Sequence, residues 1–169
     1  MQRKQFTFAL IMLMSLFLIG CGNSKAKEFT DFFQAENKIL DTYTAESKAT
    51  VEQFAKAADI KATVSDFAKV AENARKARAD LEKLNAPAEL AKYKSKDIEL
   101  IDKNIALFEF GKEALEKADV KSLEELTARG EEFDQYAQNA IDVLDELRTE
   151  AAKAAGLKII KEGDKFRFE

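Results

Sequence analysis

Residues 80–93, DLEKLNAPAELAKY, decide the fold of this chain, because they separate two long helical patterns by only a few residues. Apolar residues at helical spacing end with Leu84 on one side and resume with Leu90 on the other. Pro87 is the only proline in the chain, and it fits the first turn of a helix, where its missing N–H costs no hydrogen bond. A connection this short forces the two helices to run antiparallel.

Four helical segments follow from apolar residues that recur about every 3.6 positions. They cover residues 27–57, 59–84 and 87–118, and a fourth segment runs from Asp119 to a stop at Gly156. The stripe of the fourth helix comprises Leu123, Leu126, Phe133, Tyr136, Ala140, Val143, Leu144, Leu147 and Ala151. Glu36 and Ser47 interrupt the stripe of the first helix. Interrupted stripes of this kind favour a globular bundle over a long two-stranded coiled coil.

Capping residues mark some of the helix ends. Asp59 or Thr63 could cap the start of the second helix, since a side-chain oxygen there accepts an unpaired backbone N–H. Residues 122–125, SLEE, match a capping box, which predicts that Ser122 caps the fourth helix while Glu125 reaches back. Gly156 predicts the end of that helix, because glycine adopts the left-handed conformation at low cost.

The sequence therefore predicts an all-α fold: an antiparallel up-down four-helix bundle over residues 28–156. Residues 157–169 lose the helical period, and two apolar pairs there flank Glu-Gly-Asp, a plausible turn. We interpret this segment as a short β-hairpin or an extended tail that lies on the bundle. A disordered tail is the alternative.

Several chemistries are excluded by composition. The chain has no histidine and one cysteine, which removes di-iron, haem-binding and Ser-His-Asp or Cys-His arrangements and makes a zinc site improbable. Acidic residues are numerous, but in the sequence they are typical of solvated helix faces. The formal net charge is −4, which disfavours nucleic acid as a partner. We expect no catalytic residues, no metal ligands and no cofactor, and hence not an enzyme.

The N-terminal residues form an export signal. Residues 6–19 are apolar except for two hydroxyl side chains, and they follow Arg3 and Lys4. This run is shorter than the roughly 20 apolar residues that a membrane-spanning helix needs. The pattern therefore predicts a cleaved signal peptide over residues 1–20. It ends in Leu18-Ile19-Gly20-Cys21, which contains the single cysteine.

Leu18-Ile19-Gly20-Cys21 resembles the lipobox of bacterial lipoproteins, in which leucine, an aliphatic or small residue and glycine precede a cysteine. The resemblance implies cleavage between Gly20 and Cys21. It also implies a diacylglyceryl group on the Cys21 thiol and a further acyl chain, such as palmitate, on the new amino terminus. The implied location is the extracytoplasmic face of a bacterial membrane, with the inner or outer membrane left open. The alternative is an ordinary secretory signal followed by a free, buried cysteine.

Residues 21–27 would then form the lipidated cysteine and a short flexible tether, because residues 22–27 are small or polar. Phe29, Phe32 and Phe33 crowd the next helical turn. Phe32 and Phe33 are adjacent and point in different directions, so one of them could be exposed, in contact with lipid headgroups or a partner protein. Core packing at the end of the bundle is the favoured interpretation.

Beyond the lipobox, the residues indicate no biochemical activity. We expect a non-enzymatic lipoprotein that binds or scaffolds another protein of the cell envelope, in an undetermined oligomeric state. The alternative is a bundle that binds a small apolar ligand or a lipid between its helices. An enclosed pocket lined by Phe and Leu would favour the alternative, and an exposed apolar patch on a tightly packed bundle would favour the scaffold.

Overall fold

Four long helices and a short pair of strands make up the described part of the chain. The computed structural model describes residues 24–54, 60–162 and 165–169. The helices are α1 (Ser24–Phe54), α2 (Ile60–Lys83), α3 (Ala91–Lys117) and α4 (Val120–Ala154), and a single 3₁₀ turn over Ala88–Leu90 precedes α3. The predicted all-α bundle is confirmed.

The connection between α2 and α3 is short, as the sequence predicts, and a 3₁₀ turn stands between Pro87 and α3. Pro87 precedes the first 3₁₀ turn, and the Leu90 N–H donates to its carbonyl oxygen at 2.9 Å. Lys94 reaches back from α3 and donates to the carbonyl oxygens of Glu82 and Leu84 at 2.8 and 2.6 Å. These carbonyls at the end of α2 would otherwise lack partners, so one side chain closes the helix and ties it to its neighbour.

The start of α4 differs from the capping box expected at residues 122–125. Asp119 is the N-terminal cap: its carboxylate accepts from the Ser122 backbone N–H at 2.8 Å and from the Ser122 hydroxyl at 2.7 Å. The assignment of Ser122 as the cap is therefore wrong by one turn. The reason is Ala118, whose left-handed conformation (φ 52°) ends α3 and lets α4 begin at Val120. The Asp59 cap lies outside the described residues.

The end of α4 confirms the predicted stop. Gly156 has a φ of 71°, its N–H donates to the Lys153 carbonyl at 3.1 Å, and the Leu157 N–H donates to the Ala152 carbonyl at 2.8 Å. This pair of bonds is the Schellman motif. The apolar contact that accompanies such motifs is present too, because Leu157 and Ala152 belong to the same core cluster.

After this turn the chain forms an antiparallel hairpin. Strand β1 (Ile159–Glu162) pairs with β2 (Lys165–Phe168), with Ile159 opposite Phe168 and Glu162 opposite Lys165. Backbone bonds between Lys158 and Glu169 extend the pairing by one residue at the open end. Of the interpretations considered for the C-terminal segment, the hairpin is the one the structure shows.

The first residues of α1 belong to the segment that the sequence predicts as a flexible tether. Residues 24–27, placed in a tether by the sequence, are the first turn of α1, and Ala26 is buried. The turn is held because Ala26 packs into the core and because Lys25 pairs with Glu89, with 3.1 Å between the charged atoms. We call this end of the molecule the hairpin end. It comprises the start of α1, the α2–α3 connection, the end of α4 and the hairpin.

The opposite end, where α3 passes into α4 near residues 117–120, is the far end. Two positions of the predicted α4 stripe, Leu123 and Val143, are exposed, as is Val120. Between residues 120 and 136, Gly130 is the only buried position of α4, whereas buried residues recur from Ala137 onwards. The predicted stripe is thus continuous in sequence but is covered mainly in its second half.

Candidate functional site

Charged and polar side chains from three helices meet inside the bundle, towards its hairpin end. Glu36 comes from α1, Tyr93 and Asp97 from α3, and Arg148 from α4, and each is at most 4% exposed. Tyr93 and Asp97 are four residues apart and therefore share one face of α3. We call these four residues the buried cluster.

Hydrogen bonds join the members of the buried cluster. The Tyr93 hydroxyl donates to Glu36 Oε2 at 3.2 Å, and Arg148 Nη2 donates to the Tyr93 oxygen at 3.3 Å. A side-chain hydrogen bond links Glu36 to Asp97. Arg148 Nη1 donates to Asp145 Oδ1 at 2.8 Å, which leads the guanidinium towards the surface of α4. The cluster is therefore a connected network between α1, α3 and α4.

Aromatic rings surround the Arg148 guanidinium. Its central carbon lies 4.2 Å from the ring centre of Phe166 and 5.2 Å from that of Phe33. The hairpin contributes Phe166, and it also contributes Phe168, which stacks on Phe33 with 5.4 Å between ring centres. A cation over an aromatic face is stabilised by the charge distribution of the ring, more so away from water. The hairpin thus covers the buried charge.

Burial controls the protonation of the two carboxyls. Desolvation, and then the nearby Asp97, raise the pKa of Glu36 well above its usual value. Desolvation raises the pKa of Asp97 to about 6, while the hydrogen bond from Glu36 and the charge of Arg148 act in the opposite direction. Burial therefore favours the protonated form of Glu36, while the charge of Arg148 favours the ionised form of Asp97.

Two carboxyl oxygens of the cluster, Glu36 Oε1 and Asp97 Oδ2, have no hydrogen-bond donor among the described residues. A proton shared between the two carboxyls satisfies both oxygens at once, because a protonated carboxyl donates to an ionised one. Two carboxylates without such a proton would repel each other in a site shielded from water. The arrangement can therefore bind and release a proton. Within the described ranges, no group of three or more acidic or thiol side chains could hold a metal ion.

The site residues that the sequence predicts are either outside the described residues or part of the apolar core. Gly20 and Cys21 are outside the described residues. Phe29, Phe32 and Phe33 are all buried, which agrees with core packing at the end of the bundle and not with the alternative that Phe32 or Phe33 is exposed to lipid or a partner. The hairpin is the reason: Phe168 packs on both Phe29 and Phe33, which places the rings of this turn inside the core.

The sequence held a partial signal for the buried cluster. Glu36 stood out as an interruption of the α1 stripe. Asp97 follows Tyr93 by four residues and precedes Ile101 by four, and both neighbours belong to the buried face of α3. Arg148 stands four residues after the buried Leu144 in the same way. A charged residue in register with an apolar stripe is the pattern that could have identified all three.

Two open grooves lie on the surface of the described bundle. A groove of about 460 Å³ runs between α1 and α2 over Ile39, Tyr43 and Leu84. Another of about 570 Å³ lies between α3 and α4 beside Phe133 and Tyr136. Lysine and acidic side chains line both grooves, so neither has the enclosed apolar wall expected for a hydrophobic ligand.

No protein-family model, curated protein or solved structure matches this chain. Among the described residues, no helix combines the length and the apolar character needed to cross a membrane.

Proposed function

We propose that this chain is a bacterial lipoprotein, anchored through Cys21 to the extracytoplasmic face of a membrane, and that it binds another protein of the cell envelope without catalysing a reaction. The signal-like residues 1–20 and the Leu-Ile-Gly-Cys sequence support the anchor. Loss of Arg3 and Lys4 with the signal takes the formal net charge from −4 to −6, so the mature domain is acidic.

The start of α1 gives the anchored domain an orientation. Ser24, the first residue of α1, follows Cys21 by three positions. Three residues reach at most about 11 Å even when extended. A lipid on Cys21 therefore holds the hairpin end against the bilayer, and the antiparallel helices carry the far end away from it.

Exposed apolar side chains at the far end are the observation that carries the binding proposal. Val120 is 73% exposed and Leu123 is 40% exposed, and the two lie three residues apart on one face of the first turn of α4. Most of the neighbouring α4 surface carries charged side chains. A binding role is favoured over catalysis because the chain has no histidine and because the two carboxyls that the fold brings together are buried.

Site-specific photo-crosslinking of the full-length chain in native membranes tests this function. A crosslinkable residue at position 120 is compared with the same residue at Val143, which is 37% exposed on the same helix but lies outside the far end. We expect one envelope protein to be captured from position 120 and not from 143. Its capture should be lost in Leu123→Glu and strongly reduced in Cys21→Ser.

Other outcomes would overturn the binding role or its location. Equal capture from both positions, or capture that survives Leu123→Glu, would mean that the far end is not the binding surface. A lipidated chain without any captured protein would instead favour the small-ligand alternative. The α1–α2 groove with its apolar floor of Ile39, Tyr43 and Leu84 would then be the first place to look.

A further inference from the structure

The buried cluster has a feature that neither anchoring nor binding at the far end explains. Burying an ionisable group is costly unless it is fully paired, and a Glu–Asp pair is a poor substitute for apolar packing. Yet Glu36 and Asp97 are joined by a side-chain hydrogen bond inside the bundle, and each is at most 4% exposed. Glu36 Oε1 and Asp97 Oδ2 have no donor among the described residues, and a proton between the two carboxyls would supply one, which makes the stability of this region sensitive to protonation.

The groups that face the pair come from every element packed around it. From α3 come the Tyr93 hydroxyl and from α4 the Arg148 guanidinium, with Asp145 behind it. The hairpin places Phe166 on Arg148 and brings two charged residues to its own surface, Lys161 and Arg167. Helix α2 faces α1 and α3 with Ala77 and Leu81 at this level. Arg148 is thus the only cation inside the described cluster.

The hairpin is the smallest element of this enclosure. Each strand has four residues, and a two-stranded hairpin is marginally stable alone in water. It stays in place through Phe166 on Arg148, Phe168 on Phe29 and Phe33, and the buried Leu157. Displacing it would uncover Arg148, and with it a route for water to the pair.

We propose that Glu36 and Asp97 form a proton-binding site and that the proton they share keeps the C-terminal hairpin closed over the bundle. The direction follows from linkage: the closed site binds protons more tightly than a solvated site, so a lower pH must favour closure and a higher pH must favour opening. Opening releases the shared proton to solvent and leaves two hydrated carboxylates. Where opening releases one proton, the opening equilibrium constant should rise about tenfold for each pH unit.

NMR of the full chain in detergent micelles tests this coupling between pH 5 and pH 9. Carbon-13 labels on the side-chain carboxyls follow the protonation of Glu36 and Asp97. Ring resonances of Phe33 and Phe168 follow the stacked contact between hairpin and bundle. In the wild type, we expect this contact to weaken as the pair loses its proton.

Glu36→Gln is the informative variant, because glutamine has the shape of the protonated acid and does not ionise. The hairpin of this variant should stay closed up to pH 9. Asp97→Asn serves as a second variant if the first fails to fold, and Glu116→Gln, in the surface pair with Lys112, is the control and should behave as the wild type. The proposal is overturned if both carboxyls titrate near their usual values, or if the Phe33–Phe168 contact stays constant while they titrate.

Discussion

The hairpin end and the far end of the bundle are built in opposite ways. At the hairpin end, aromatic rings and a Schellman turn enclose charged side chains, so that Arg148 is 2% exposed. At the far end, the chain turns through a left-handed alanine, and the first apolar side chains of α4 face outwards. One end therefore hides charge and the other exposes apolar surface. We propose that packing at the hairpin end responds to pH and that the far end is available to a partner.

Removal of the buried cation should produce the largest effect. Arg148→Met leaves the Asp97 charge uncompensated among apolar residues, which typically costs about 3–5 kcal/mol of unfolding free energy. Urea unfolding at pH 7.5 measures this cost. The double variant Arg148→Met/Asp97→Asn should recover part of the loss. Arg129→Ala, which breaks an exposed pair with Glu125, should cost less than about 1 kcal/mol. Equal losses for Arg148→Met and Arg129→Ala would contradict the charge account.

Truncation of an apolar side chain at each end is the next comparison. Phe168→Ala removes a buried ring that packs on Phe29 and Phe33, and should cost about 3 kcal/mol in urea unfolding. Val120→Ala should change the stability by less than about 0.5 kcal/mol, because its side chain has little to lose on unfolding. A substantial loss for Val120→Ala would mean that the far end is packed rather than open.

The pH dependence of stability gives a smaller but more diagnostic signal. Both pKa values in the pair are raised in the folded state, that of Asp97 to about 6. The folded chain therefore takes up protons before the unfolded chain does, and the unfolding free energy should rise as the pH falls from 8 towards 5. Each proton contributes up to about 1.4 kcal/mol per pH unit.

Glu36→Gln removes one titrating group from this dependence, and its slope should be shallower than that of the wild type over the same range. Chemical unfolding at pH 8, 7, 6 and 5 measures both slopes. Exposed carboxyls with lowered pKa values, such as that of Asp119, act in the opposite direction at lower pH. A wild-type stability that falls steadily from pH 8 to pH 5 would rule out the shared proton.

The smallest expected effect concerns the far end alone. Ala118→Gly replaces a residue with a φ of 52° by one that adopts this conformation freely, and should stabilise the bundle by about 1 kcal/mol. Thermal unfolding detects a change of this size. A loss of stability would show that the methyl group of Ala118 contributes more than its backbone strain costs.

The architecture was predictable from the sequence because local signals and the apolar period agree. Pro87 marked the short connection that makes α2 and α3 antiparallel, and Gly156 marked the end of α4. The prediction of Ser122 as the cap was wrong because the capping pattern at Ser122 lies one turn after the residue that caps α4. Asp119 is the cap because the left-handed conformation of Ala118 ends α3 directly before it. Leu123 and Val143 belong to the predicted α4 stripe but are exposed. Periodicity shows which face of a helix is apolar, but it does not show how much of that face another element covers.

The candidate site was only partly predictable, since burial of a charge is a tertiary property. Glu36 breaks its apolar stripe, and Asp97 and Arg148 stand in register with theirs, but the sequence does not show that these three residues meet. Their pairing requires three helices to meet at one level. The packing of the aromatic turn of α1 depends on tertiary contacts in the same way: Phe32 and Phe33 both contact Tyr93 of α3, and Phe33 also stacks on Phe168 of the hairpin.

The intact mass of the chain purified from bacterial membranes tests the central claim most directly, because both the orientation of the bundle and the meaning of its two ends depend on the anchor. We expect a chain that begins at Cys21 and carries the mass of a diacylglyceryl group, with or without a further acyl chain, and we expect this added mass to be absent from Cys21→Ser. A membrane-purified chain that begins at another residue, or that has an unmodified Cys21, would contradict the account.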